Sequence, residues 1–290
     1  EYEDTKKAGE LAGLLYVELL EEPVAAALAY GLEANLSRKV RWLTYDLGGG
    51  TFDTALVEVE EGIIKVFDHA GNKYLGGKMI DRAIVESYLL PALPKEIRSK
   101  SIPEESCEWW MLKDAAEKAK IDLSPVTDKA IVKVDFHEDN YDFTYVLKED
   151  KLNKVQDPMF FESIKICQEL LAKHKYGPAD IEKIIFIGGP TLSLHLRELV
   201  GNELKIPIDF SVDPITAVAK GAAIYAKTRK IPENILTEIR KRSGRFLAAE
   251  IHVELDYPAT TRNLEPLITG SFNLTKSILQ LPVGKLRLTE

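Results

Sequence analysis

Cysteine is almost missing from this chain of 290 residues. The two that occur, Cys107 and Cys167, share no CxxC spacing, which excludes a disulfide framework and a cysteine-based zinc site. A reducing cytoplasm is therefore the expected compartment. No run approaches the roughly 18–20 uninterrupted apolar residues of a spanning helix, so no membrane association is expected. The first seven residues, Glu1 to Lys7, are mostly charged and lead into no signal-type apolar block, which argues against secretion. Basic charge is in deficit: 38 Lys plus Arg stand against 46 Asp plus Glu, a net charge of −8. That sign argues against a sequence-independent grip on nucleic acid. His69, His137, His174, His195 and His252 show no metal-ligand spacing and read as ordinary surface or core histidines. There is no internal repeat and no low-complexity segment. An initiator methionine is also missing. The chain opens inside a helical pattern of Thr5, Ala8, Leu11, Ala12 and Leu15, and so reads as a piece of something longer.

What is present is an alternation of strand and helix signals, the mark of an α/β fold. Apolar runs at Leu14 to Leu20, Val40 to Leu47, Thr54 to Val59 and Ile184 to Ile187 predict strands. Helical stretches are predicted at Val24 to Gly31, Ile80 to Leu90, Trp109 to Ile121, Pro158 to Lys173, Leu192 to Leu204 and Thr216 to Lys227. Residues of about 75 to 150 read as an inserted α+β subdomain, with alternating strand patterns between Ala130 and Val146. Lys227 to Arg245 carries seven basic and two acidic residues, and β-like runs follow at Glu250 to Tyr257, Leu267 to Phe272 and Lys285 to Leu288. A linker helix leading into a partial β module is the expectation there.

The chemistry lies in glycine-rich loops. In Tyr45-Asp46-Leu47-Gly48-Gly49-Gly50-Thr51-Phe52-Asp53, three glycines remove every Cβ from a turn, so backbone N–H groups can approach a phosphate. Asp46 at the strand end could hold a hydrated Mg²⁺, and Thr51 offers a hydroxyl. The loop runs into a second strand and opens no helix, unlike a Rossmann or Walker loop, and a plain glycine-rich hairpin with a capping Asp is the alternative. Ile187-Gly188-Gly189-Pro190-Thr191 ends a buried strand before a helix, whose N-terminus suits a phosphate or nucleoside. Gly71 to Lys78 is a third glycine-rich loop before a helix. Glu117, Lys120 and Ser124 fall on one helical face and offer a polar wall for a purine and its ribose, or simple solvated decoration. In Glu22-Pro23-Val24-Ala25-Ala26-Ala27, Pro23 fits a first turn and Gly31 a C-terminal cap. Glu22 could orient a water toward a γ-phosphate, or could simply stabilise the helix N-terminus.

Taken together, Glu22 to Leu32, Asp46 to Asp53, Ala70 to Asp81, Glu117 to Ser124, Ile187 to Gly189 and Asp213 to Ala223 closely resemble the nucleotide-binding domain of the seventy-kilodalton heat-shock (DnaK-type) chaperone family. The resemblance runs from about residue 1 to 227. It implies an actin-like (ribonuclease H-like) ATPase fold holding ATP or ADP with Mg²⁺, and hydrolysis coupled to the binding of client polypeptides with co-chaperones. It further implies that Gly48, Gly49, Gly50 and Thr51 hold the β- and γ-phosphates, and that Glu22, Asp46 and Thr51 serve hydrolysis. Asp46 would bind Mg²⁺ through water. Glu117, Lys120 and Ser124 would flank adenosine, with Gly71, Gly188 and Gly189 completing the nucleotide loops.

On that reading residues 1–36 are the remnant of a first actin-like lobe and 37–229 the second lobe. Residues 230–290 are then a linker helix and the opening strands of a substrate-binding β module. The family's first phosphate hairpin and its phosphate-contacting Lys lie upstream of the equivalent of Glu1, so little turnover is expected of the 290 residues alone. Pro190, Thr191 and Leu192 stand where the family usually has Ser, Thr and Arg. Ile121 stands where a basic side chain is common, and Ile215 where an Asp is common. Weakened adenine contact follows. A non-catalytic interaction module derived from the fold is the alternative of a different class, and an actin-like or sugar-kinase relative is the third.

Overall fold

Three apolar runs predicted as strands become neighbours in one sheet. The computed structural model describes residues 2–31, 39–60, 63–98, 102–104, 106–125, 127–136, 141–243, 253–256 and 269–272. Helices α1 (Tyr2–Leu11) and α2 (Glu22–Gly31) precede strands β1 (Val40–Leu47), β2 (Phe52–Glu60) and β3 (Ile63–Asn72). Then come α3 (Gly77–Ile84), a π-helical turn (Val85–Leu89), the short α4 (Leu90–Ala92) and α5 (Lys95–Arg98), and the longer α6 (Cys107–Asp122). A hairpin of β4 (Lys129–Phe136) and β5 (Tyr141–Lys148) leads into the long α7 (Glu149–Lys173). The remainder is β6 (Lys183–Ile187), α8 (Leu194–Leu204), β7 (Ile208–Asp209), α9 (Ala217–Thr228), α10 (Glu233–Ser243), β8 (Val253–Asp256) and β9 (Thr269–Phe272).

The chain divides into two compact units, one of Leu20–Thr228 and the other of Glu1–Leu19 with Arg229–Glu290. In the first, the sheet order is β3-β2-β1-β6-β7, with β1, β2 and β3 antiparallel and β6 and β7 joining in parallel. Because successive side chains in a strand face opposite ways, each central strand feeds two cores. Leu43, Tyr45 and Leu47, Phe52 and Leu56, and Ile184 and Phe186 pack on one face with Phe160, Ile164 and Leu170 of α7. Val40 and Trp42, Val57 and Val59, and Ile185 and Ile187 pack on the other with Ala26, Ala27 and Tyr30 of α2 and Ala217 of α9. Helices α2 and α9 approach so closely that a Cβ on Gly221 would sit 1.6 Å from the carbonyl oxygen of Ala25. The alanine run of α2 and Gly221 together make that approach possible. The hairpin β4–β5 is a sheet of its own, and its buried side packs into the same core as α6.

In the second unit, Gly9 of α1 faces Val17, and Arg229 pairs with Glu18 at 2.7 Å. β8 and β9 form an antiparallel pair.

Several expectations need correcting. Leu14 to Leu20 is not a strand: Leu14 and Tyr16 are exposed and no other strand lies beside the segment among the described residues. A strand is stable only with a neighbour to take its backbone hydrogen bonds. Helix α7 begins at Glu149 and not near Pro158, which lies inside it. Gly31 is no left-handed cap. It ends α2 within α2's own helical conformation and gives room to the Trp42 ring, 3.4 Å from where its Cβ would be. The Gly71 to Lys78 loop is shorter than expected, because Gly71 and Asn72 close β3, a strand the sequence reading did not foresee. The run Lys285 to Leu288, His137 and His252 lie outside the described residues.

Candidate functional site

The β1–β2 hairpin carries Gly48, Gly49 and Gly50 at its tip, with the Gly48 N–H donating to Thr51 O at 3.0 Å. Two backbone bonds fix the direction of the other peptides in the turn. Gly77 N–H donates to Gly48 O at 2.9 Å, and Lys78 N–H to Gly49 O at 2.7 Å, so the free N-terminal amides of α3 are capped by the loop. In a trans peptide the C=O and the following N–H point opposite ways. With both carbonyls turned to α3, the N–H groups of Gly49 and Gly50 point away from it, and neither has a partner among the described residues. Two unpaired amides in succession form an anion-binding concavity.

The other glycine segments touch this tip. A Cβ on Gly76 would lie 2.6 Å from the backbone nitrogen of Gly50. Gly188 has φ +90, and a Cβ there would lie 2.1 Å from Leu47 O. Only glycine allows either approach, so the three loops form one cradle. Lys78 joins it: its Cε is 3.8 Å from the position of a Gly49 Cβ, and its ammonium makes no ion pair among the described residues. A cation in the first turn of a helix opposes the helix dipole unless an anion lies between them.

Asp46 lies at the end of β1, half-buried beside this cradle. Burial, and after it the charges of Glu22 and Asp53, push its carboxyl up to about 7. Glu22, the first residue of α2, and Asp46 are thus within electrostatic reach of each other. Such a crowd of carboxylates is relieved by a divalent cation. Among the described residues no three acidic, His or Cys side chains are grouped as a direct metal site. The half-buried Asp46 carboxyl, with Glu22 and Asp53 near it, is an oxygen donor of the kind that suits a hydrated Mg²⁺. Thr51 is exposed at the turn, and Gly71 sits on β3 opposite Asp53, where its missing Cβ leaves room for the Asp53 carboxylate.

A cavity of about 620 Å³ opens from the cradle. Gly49, Glu117, Lys120, Ser124 and Gly189 all line it, so the loop and the helical face are parts of one site. Ser124 lies just past the end of α6. Lys120 is not free, because its Nζ is held by Asp81 Oδ1 at 2.5 Å and by Gly77 O at 3.1 Å. Asp81 is 1% exposed and its Oδ2 has no partner; burial raises its carboxyl above the usual range, and Lys120 offsets part of this. The helix dipole expected at Gly188 and Gly189 is displaced. A 3₁₀ turn, Gly189–Leu192, intervenes, and α8 begins only at Leu194, capped by the Ser193 side chain. Pro190 has no N–H to offer at this point.

The sequence matches the profile of the family described as Hsp70 protein over residues 1–237. The chain belongs to the Hsp70 family. It is 33% identical over 225 residues to the chaperone protein DnaK of Cenarchaeum symbiosum, a match covering 77% of this chain and 34% of the relative. It is 35% identical over 224 residues to that of Picrophilus torridus (76% and 36%), and 34% identical over 237 residues to that of Mycoplasmopsis pulmonis (77% and 37%). The chain thus spans about a third of the length of these curated relatives. Hsp70 membership carries the actin-like ATPase fold, and the mixed α/β sheet with helices on both faces agrees with it. No helix among the described residues is long and apolar enough to cross a membrane.

Beyond the site residues named from the sequence, the structure brings Gly76, Gly77 and Lys78 of the third loop to the cradle and Gln156 to the cavity wall. The first three were visible as a glycine pair with a Lys before a helix. Gln156 gave no signal, because it lies two residues before Pro158, where the helix was expected to start, in the part of α7 that the reading left out.

Proposed function

We propose that residues 20–228 hold the phosphates of ATP or ADP with Mg²⁺, as part of an Hsp70-type nucleotide-binding domain. The observation carrying this reading is the convergence of Gly76-Gly77 and Gly188 on Gly48–Gly50, which leaves the Gly49 and Gly50 amides free. In this reading those amides, the Thr51 hydroxyl and the Lys78 ammonium receive the β- and γ-phosphates. Asp46 holds the water shell of the metal, and Glu22 orients the attacking water. Bound Mg²⁺ supplies charge neutralisation for the in-line displacement. Glu117 and Ser124 flank the nucleoside, and Gly71, Gly188 and Gly189 shape the loops around it. Lys120 supports the wall through Asp81 and Gly77.

The domain layout belongs to the same proposal. Residues 1–36 correspond to the end of a first lobe, 37–229 to a second lobe with an inserted subdomain at about 75–150, and 230–290 to a linker and the start of a peptide-binding β module. Its whole-protein partners are client polypeptides and co-chaperones in the cytoplasm, with ATP hydrolysis driving their exchange. Isothermal calorimetry of the 290-residue chain with MgADP and MgATP tests the reading. Binding lost in Gly49→Val, with the fold kept, supports it. No binding, even with a first-lobe polypeptide added, favours the interaction-module alternative.

A further inference from the structure

Beside the phosphate cradle the cavity wall is mostly apolar, formed by Ile80, Phe160, Pro190, Leu192, Leu194 and Ile215. Its polar side chains are nearly all committed elsewhere. Lys120 is held by Asp81 and Gly77, Ser124 Oγ donates to Lys120 O, and Ser193 Oγ accepts the Leu196 N–H. Lys78 and Glu117 are exposed. Gln156 differs from all of these. It lines the cavity from α7, one turn before Phe160, and is 3% exposed. Its Nε2 donates to Asn153 Oδ1 at 2.7 Å, while its carbonyl oxygen has no partner among the described residues and is not among the fully enclosed atoms.

We propose that Gln156 selects the nucleobase: its carbonyl oxygen accepts a hydrogen bond from an exocyclic amine, so that the cavity prefers amino-substituted bases to keto-substituted ones. This rests on the nucleotide reading above and assigns its base-reading group. Asn153, three residues earlier on the same helical face, takes the donor end of the amide and leaves the acceptor end uncommitted at the cavity wall. An amine at the base edge pairs the carbonyl oxygen, which no described contact occupies. A keto oxygen at the same position meets oxygen with oxygen and leaves both unpaired in an apolar surround. Apolar walls discriminate weakly between bases of one shape, whereas an unmatched buried polar group discriminates strongly. The amide is therefore the group that sets selectivity.

The test compares MgATP with MgITP, which differ at the purine 6-position, by calorimetry on the 290-residue chain. The expected result is that ATP binds about tenfold tighter or more, and that Gln156→Met brings the two to near equality by weakening ATP. Gln156→Glu, which keeps an acceptor, retains the preference. Asn153→Ala releases the amide to turn its donor inward, so ITP affinity rises, a gain that misfolding does not mimic. An ATP-to-ITP ratio near one in the parent chain, or a ratio unmoved by Gln156→Met, overturns the assignment and leaves phosphate binding standing. Failure to bind ATP, ITP and magnesium tripolyphosphate alike overturns the nucleotide reading and this assignment with it.

Discussion

Asp46 of β1 stands directly opposite Asp53 of β2 in the antiparallel register, two carboxylates paired across the stem of the phosphate hairpin. Like charges in that position oppose each other, and Glu22 adds a third. The arrangement costs stability that the proposed cation would restore.

The pH dependence follows from the sign of the shift. The folded Asp46 carboxyl titrates at about 7, above the ~3.9 of an unfolded chain, so between those values the folded state holds the extra proton. Stability from this group is full below about pH 4 and is lost as pH rises to about 7. Asp46→Asn should therefore stabilise the magnesium-free chain by about 1–3 kcal/mol at pH 8 and change little at pH 4. Urea melts at the two pH values measure the difference.

Lys78 predicts opposite effects on stability and on binding. Its ammonium opposes the dipole of α3 and has no ion-pair partner among the described residues, so Lys78→Ala should raise the stability of the empty chain by about 0.3–1 kcal/mol. The same substitution should weaken MgATP by roughly tenfold, through loss of a charge-assisted contact. Paired melts and calorimetry on one sample would show both signs or refute the placement.

Adjacent glycines should behave differently. Gly188→Ala forces a Cβ to within 2.1 Å of Leu47 O at φ +90, and should cost about 3 kcal/mol or more. At Gly189 an added Cβ meets nothing within 4 Å, and Gly189→Ala should stay within about 1 kcal/mol. Equal losses at the two positions would contradict the described contact between the loops.

Removing Lys120 tests whether it serves the wall or the ligand. Lys120→Met leaves Asp81 buried without its partner and should cost about 3 kcal/mol at pH 8. The cost should shrink as pH falls, because burial raises the carboxyl and favours its protonated form. The double variant Lys120→Met with Asp81→Leu should recover most of the loss. Recovered stability together with retained ATP binding would place Lys120 in the scaffold.

The parts of the fold that were legible in the sequence are those with a strong local signal. Val40 to Leu47 and Ile184 to Ile187 are buried on both faces, and such strands read as apolar runs. Strand β3 escaped notice because its residues alternate between exposed and half-buried, and because Asp68, His69 and Gly71 break its apolar content. Leu14 to Leu20 has the composition of a strand without a neighbour to make it one. Pro158 suggested a helix start because proline fits a first turn, yet α7 carries it in its interior. At the site, the triple glycine was legible as a turn of bare backbone by its missing side chains alone. The capture of its carbonyls by Gly77 and Lys78, and the commitment of Lys120 to Asp81, depend on contacts between distant segments that no local pattern records.

The sheet order has a consequence for the route by which the site is assembled. Strands β1, β2 and β3 follow one another along the chain and pair with their immediate neighbours, whereas β6 must cross back over α6, the β4–β5 hairpin and α7 to reach β1. Contacts close in sequence cost little entropy to close and form early; distant ones form late. A chain emerging from the ribosome can thus pair its glycine hairpin once β2 is made and orient the turn's peptides once α3 follows, while the cavity wall waits for Leu192 and Ile215. On the proposed reading, backbone for the phosphates would then take shape before the walls that tell one nucleotide from another.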